Sequence, residues 1–299
     1  MEGYRGTCGA TRPGRCLKNP IRPGCYGSWQ EKDRLTGALL TRIVDISDRL
    51  FPFEGSEPWD NCGIQIGDPN RHITSVAVSL DPTLQTIRFA SDHHCELLVT
   101  HHPVLLHPMR NITADNFAGR ILMKAAKSDV NIIALHTNLD AAEGGLNEHL
   151  AARLGLERVI VPLPARCARL GELPGPLSVS ALARKVAQDL SIPRLRIISD
   201  TDREIRKVFC ASGSGMGYLQ EALRYRADAI VTGDVRYHAA REAMEMGIAV
   251  IDAGHYGLEK EAVPILVDSL SGAFARDGLE IACIACDLER DPFEEHFGR

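Results

Sequence analysis

Apolar and polar residues recur along this chain in two rhythms, and their order predicts most of its elements. Apolar residues at positions 39, 40, 43, 44, 46 and 50 share one helical face, which predicts a helix over 35–50. Residues 73–80 (ITSVAVSL) are β-branched and apolar, which predicts a strand ending at Asp81-Pro82. A helix over 83–94 follows, then an apolar strand, ELLVTHH, over 96–102. A helix over 117–128 leads to another apolar strand, NIIALHTNLD, over 131–140. A helix over 143–154 is stopped by Gly155. Residues 162–176 carry Pro162, Pro164, Pro174 and Pro176, which predicts a linker. Beyond a helix over 178–190 the earlier order returns. It runs as a strand and Gly-rich turn over 207–215, a helix over 218–226, a strand over 228–234, a helix over 238–246 and a strand over 247–255.

The return is specific in places. Leu98-Val99-Thr100-His101-His102 aligns with Ile230-Val231-Thr232-Gly233-Asp234, and each follows a strand–helix unit. This predicts an internal duplication of a βαβαβ unit. The expected fold class is α/β, with two related α/β halves over 35–161 and 177–299. Helices between short apolar strands predict parallel sheets covered on both faces. Such sheets bind ligands at the carboxyl ends of their strands.

Composition narrows the function. A length of 299 residues fits two domains. The net charge of −5 excludes a whole-chain polyanion binder, so nucleic acid is not an expected partner. No run reaches the ~18 apolar residues that span a bilayer, so no membrane partner is expected. The charge is uneven: residues 1–34 hold seven Lys/Arg against three acids, leaving +4 there and −9 in the rest. This basic tail shows neither periodicity and is expected to be disordered. It fits a transit peptide only in part. Nine cysteines, an odd number without disulfide spacing, point to a reducing, cytoplasmic setting. Cys283 and Cys286 form a lone C-x-x-C in a strand-like segment and read as buried thiols. Cys8, Cys16 and Cys25 match no standard metal spacing.

The eleven histidines carry the chemistry. His101 and His102 end a buried strand. Adjacent side chains on extended backbone point opposite ways, so the pair suits two ions better than one. His136 and Asp140 end the next strand. His255 and Glu259 end the matching strand of the second half, and share a face if a helix begins there. These clusters fall where a doubly wound sheet holds its ligands. The expected metal set is His101, His102, Asp140, His255 and Glu259, with His136 beside it. Mixed nitrogen and oxygen donors suit two divalent transition-metal ions (Zn, Fe, Mn, Co or Ni) and argue against Mg or Ca. Two such ions can activate a water and clamp an attacked oxygen. His238, four residues after Asp234, is a candidate acid or base or a support for a ligand. Ser212, Ser214 and Gly215, in a Gly-rich turn at a helix start, are candidate phosphate contacts. Asp60 and Asn61, with Asp234, are candidate braces for ligating imidazoles.

Several of these motifs together resemble a known family. W-D-N-x-G (59–63), V-T-H-H-P (99–103), H-T-N-L-D (136–140), T-G-D-x-x-Y-H (232–238) and D-A-G-H-x-x-x-E (252–259) resemble the NIF-three-like family. Its members are often labelled GTP cyclohydrolase I type 2 homologs. The resemblance runs from about residue 35 to 298 and includes Asp291-Pro292-Phe293. It implies a two-domain α/β fold with a dinuclear metal centre in the cleft between domains. It also implies a ring-shaped homohexamer. Matched motif by motif, the ligands are His101, His102, Asp140, His255 and Glu259, with His136 close by. Residues 156–206 are too few for the extra domain that some members carry, so this chain resembles the short form. The implied function is a dinuclear-metal-dependent hydrolase of a nucleotide-like or phosphorylated small molecule. The alternatives are a metal-binding protein without turnover and a ring-shaped interaction protein.

Overall fold

The computed structural model describes residues 37–294, so the basic tail with Cys8, Cys16 and Cys25 lies outside the described residues. The described chain opens with β1 (Ala38–Leu39), α1 (Leu40–Leu50), β2 (Gly63–Ile66) and β3 (His72–Ile73). A strand–helix repeat follows: β4 (Ser75–Ser79), α2 (Leu84–Asp92), β5 (Leu97–Thr100), α3 (Phe117–Lys127) and β6 (Asn131–Ala134). Next come α4 (Thr137–Ala141), α5 (Leu146–Arg153), β7 (Glu157–Ile160), β8 (Arg169–Ser178), α6 (Val179–Asp189) and β9 (Arg196–Ile198). The second repeat is β10 (Glu204–Cys210), α7 (Leu219–Arg224), β11 (Ala229–Thr232), α8 (Tyr237–Glu245) and β12 (Ala249–Asp252). The chain closes with α9 (His255–Glu259), α10 (Ala262–Arg276) and β13 (Ala282–Ala285).

Two larger sheets result, as the repeated pattern predicts. One is five-stranded, in the order β13-β4-β5-β6-β2, and the other six-stranded, in the order β7-β8-β10-β11-β12-β9. In the first, β13, β4, β5 and β6 are parallel and β2 is antiparallel. In the second, β10, β11 and β12 are parallel and flanked by antiparallel β8 and β9, with β7 antiparallel to β8 at the edge. Thr100 and Thr232 hold equivalent places at the ends of β5 and β11.

The two-residue period of the strands divides the core. Val76, Val78, Leu97 and Val99 join one apolar cluster with Val208, Val231 and Ile251 of the other sheet. Helices α1, α5, α6 and α10 contribute Ile43, Leu150, Leu182 and Leu266 to that cluster. The alternate residues Ala77, Leu98 and Ile132 pack outward under α2 and α3. Phe209, Ile230 and Val250 pack outward under α7 and α8. Each fully buried Val, Leu or Ile contributes roughly 1.5–3 kcal/mol. Local signals start the helices: Thr83, Asn116 and Ser178 cap α2, α3 and α6 through their side chains. Each such cap stabilises by about 1 kcal/mol.

Three expectations are corrected. Residues 131–140 are not one strand: β6 stops at Ala134, and 137–141 turn into α4. The Pro-rich stretch 162–176 is not a free linker, because β8 begins at Arg169 and pairs with both β7 and β10. Its prolines are tolerated because the register slips between Glu172 and Leu177, so Pro174 and Pro176 fall in a bulge. The C-terminal segment does not stay with the second sheet. After α10, β13 pairs with β4 of the first. Cys283 and Cys286 are part-buried and buried, and burial raises both thiol pKa values.

Candidate metal centre

The carboxyl ends of β5, β6 and β12 bring the histidine clusters together. His101 and His102 follow β5, where the Thr100 hydroxyl donates to the His102 carbonyl (2.7 Å). This bend sets the two rings 4.9 Å apart instead of on opposite faces. His101 is wholly buried, with Nδ1 2.9 Å from the Leu135 carbonyl. A carbonyl only accepts, so Nδ1 donates, and Nε2 is the ring nitrogen turned to the carboxylates. That Nε2 is buried without a hydrogen-bond partner. It lies 3.8 Å from both Asp140 Oδ1 and Glu259 Oε1.

His102 and His255 converge from the two sheets on the other oxygen of Glu259. Their Nε2 atoms lie 2.8 and 2.7 Å from Glu259 Oε2, and 3.3 Å from each other. Their Nδ1 atoms are braced at 2.8 Å by Asp81 and Asp234 respectively. His136 is braced in the same way by Asp60 (2.9 Å). All four imidazoles thus turn Nδ1 to an acceptor, the arrangement that orients ligating histidines. His255 and Glu259 occupy α9 at i and i+4, as their spacing predicts.

Asp140 sits on α4 and accepts from the Ser212 hydroxyl (3.1 Å). Asn147 holds Ser212 in place, accepting from its amide (2.7 Å) and donating to its hydroxyl (3.1 Å). Gly213, at φ +57°, lies where a Cβ would fall 2.4 Å from Glu259 Oε1. The Gly-rich turn therefore packs directly on the carboxylate. Two expected phosphate contacts have protein partners, since Ser212 serves Asp140 and the Gly215 amide donates to Thr232 (2.8 Å). Ser214 is exposed. His238 is exposed at the head of α8, its ring edge-on to Tyr237. The Asn61 side chain donates to the Leu105 carbonyl (2.7 Å) and not to an imidazole.

Electrostatics fit a site built for cations. Burial pulls the His102 pKa down, but Asp81 and Glu259 carry it up to about 10. His255 is likewise depressed by burial and carried up to about 9 by Glu259 and Asp234. Burial opposes ionisation of Glu259, but the facing imidazoles hold it well below the carboxylate range. Burial dominates at Asp140 and raises its pKa, with Glu259 adding to the rise. Without ions, protons sit between these groups, and cation binding must displace them.

The donor spacing also fits. Two nitrogens about 2.0–2.1 Å from a tetrahedral ion lie about 3.3–3.4 Å apart, close to the 3.3 Å between His102 and His255. Among the described residues, two groups have ligand atoms within 4.8 Å of one another: His101, His102 and His136, and His102, His255 and Glu259. Sequence reasoning missed Asp81, Leu135 and Asn147 as supports. Asp81 carried only the weak signal of an Asp-Pro turn at a strand end.

Comparison with known proteins identifies the family of the chain. The model of the DUF34/NIF3 (NGG1p interacting factor 3) family matches residues 38–292, and the chain belongs to that family. It is 32% identical over 261 residues to a Clostridium perfringens protein named GTP cyclohydrolase 1 type 2 homolog, covering 85% of this chain and 98% of that protein. It is 31% identical over 239 residues to the Helicobacter pylori protein named GTP cyclohydrolase 1 type 2, covering 78% of this chain and 92% of that one. A crystal structure of a Bacillus cereus protein related to NIF3 superposes with a TM-score of 0.82 at 22% identity, over 87% of this chain and 100% of the other. Reduced HcgD from Methanocaldococcus jannaschii gives 0.74 at 25% identity, over 85% of this chain and 100% of the other.

Proposed function

We propose that this chain is a dinuclear-metal-dependent hydrolase of a nucleotide-like or phosphorylated substrate. One observation carries the reading: the buried, partnerless Nε2 of His101 faces two carboxylates inside a ring of braced imidazoles. The two oxygens of Glu259 face different histidines, which suits a bridging ligand. Its Oε1, with His101 and Asp140, would hold one ion. Its Oε2, with His102 and His255, would hold the other. The mixed nitrogen and oxygen donors suit Zn, Fe, Mn, Co or Ni. Two such ions supply Lewis acidity and an activated water. Asp81, Asp234 and Asp60 keep the imidazoles oriented, and Ser212 keeps Asp140 aimed inward. The names of the relatives support a nucleotide as the substrate.

Self-association as a hexameric ring belongs to the same proposal. The edge strand β7 and the residues after it expose Val159, Ile160, Val161 and Leu163, and such an edge favours pairing or cover. No described helix is long and apolar enough to cross a membrane.

The test is turnover of GTP and other nucleoside triphosphates by protein purified with its metals. His101→Ala and Glu259→Gln are expected to abolish turnover while the assembly, measured by light scattering, stays intact. Unchanged turnover in both variants would remove the centre from the mechanism. Full metal content without turnover of any nucleotide would favour a metal-handling protein instead.

A further inference from the structure

Beside His136 lies a cleft lined by none of the five proposed metal ligands. Its volume is about 740 Å³, and its walls include Trp59, Asp60, Asn61, Leu105, Arg110 and Ile112. That volume lies within the usual range of small-ligand sites, about 300–1,000 Å³. Asp60 belongs to both regions: it lines the cleft and also holds His136 Nδ1 at 2.9 Å.

Three features point to a ligand. Trp59 is 59% exposed, with its ring edge-on to His136 at 6.0 Å. An indole left open beside a buried polar centre offers a flat apolar face at the end of the cleft nearest His136. Arg110 is exposed and makes no hydrogen bond or ion pair among the described residues. The segment between β5 and α3, residues 101–116, is long for a connection without helix or strand, and such loops are usually functional. It is not loose at its base. Leu105 donates its amide to Gln65 Oε1 (3.0 Å) and accepts from Asn61 Nδ2 (2.7 Å). These bonds preform the wall that faces Trp59.

We infer that this cleft receives the substrate, with a planar heteroaromatic ring against Trp59 and a phosphate against Arg110. The inference rests on the hydrolase reading and assigns that substrate a subsite and two specificity residues. Trp59 supplies stacking that tolerates different rings, while Arg110 selects for the anion. Both are specificity residues that hold the ligand beside the ions. Asp60 links the two regions, because one carboxylate braces His136 and also walls the cleft.

The test uses the full chain carrying Trp29→Phe, which leaves Trp59 as the sole tryptophan of the original two. Guanosine 5′-monophosphate, guanosine and inorganic phosphate are titrated into metal-loaded and chelated protein while Trp59 emission is followed. The monophosphate is expected to quench saturably and to bind about tenfold tighter than guanosine. Arg110→Gln should bring the monophosphate down to the affinity of guanosine and leave guanosine unchanged. Trp59→Ala, followed by calorimetry, should weaken both by about tenfold. Equal binding of the two ligands, or unchanged monophosphate affinity in either variant, would overturn the inference. Both side chains are exposed, so unchanged melting temperatures separate lost binding from lost folding. Nucleotide turnover with an unaltered KM in both variants would reject the cleft and leave the hydrolase standing. Saturable binding that follows this pattern, without turnover, would do the reverse.

Discussion

Gly213→Ala tests what the Gly-rich turn is for. At φ +57° an alanine is strained by about 1 kcal/mol. Its Cβ would lie 2.4 Å from Glu259 Oε1 and 3.4 Å from His255 Cε1. Relief requires the carboxylate to retreat by about 1 Å, the gap to ordinary contact. Glu259 cannot swing freely, because His102 and His255 hold its other oxygen at 2.8 and 2.7 Å. Overpacking of this kind costs about 1–3 kcal/mol. The expected total is about 2–4 kcal/mol, or roughly 4–10 °C in melting temperature. Metal ligation tolerates only about 0.2 Å, so metal affinity should fall at least about tenfold. The assay is metal content by mass spectrometry with a calorimetric melt, against Gly217→Ala as control. Gly217 has nothing within 4 Å of an added Cβ. If Gly213→Ala keeps its metal and melts like the control, the packing argument is wrong. Retained metal with a raised KM would instead show that the turn cradles phosphate.

Three further outcomes follow from the same geometry. Asp81→Ala removes the acceptor at His102 Nδ1 and should weaken metal binding about 10–100-fold; a competitive chelator titration that matches wild type would contradict this. Arg169, 2% exposed, donates to the carbonyls of Ala141, Ala142, Arg166 and Ala168. Arg169→Met strands these acceptors, and denaturant unfolding should show a loss of about 3–5 kcal/mol. In chelated protein, His102 and His255 have pKa values raised to about 10 and about 9. A raised folded pKa means that protonation favours the folded state. The contribution is complete below the ordinary imidazole value of about 6.5 and is lost as pH rises through about 9 to 10. The chelated melting temperature should therefore decline over that window, and a flat profile would refute the assignment.

Much of this site was legible because strand ends are marked twice, by the end of an apolar run and by the polar group that follows. His101, His102, His136 and His255 carry both marks. Glu259 was legible through its spacing from His255, which fits one helical turn. Asp81 was not, because its partnership depends on register. Val78 pairs with Val99 and Ser79 with Thr100, which lays the turn after β4 beside His102. Nothing within a window around Asp81 reports that neighbour. α10 escaped because it packs on α1, β4 and β13. Contact on several sides blurs its apolar stripe, and Pro264 falls in its first turn. Pro174 and Pro176 suggested a linker because proline rarely enters a strand, and only the bulge opposite Arg206 accommodates them. The tail 1–34 lies outside the described residues, so its expected disorder stays a reading of composition.

The central claim is that five side chains hold two ions, and the most direct measurement is transition metal per chain after gentle purification. The account predicts a value approaching two, falling to one or below in both His101→Ala and Glu259→Gln while the circular dichroism stays native. A value near zero in the unaltered protein, or metal content that neither substitution changes, would contradict it.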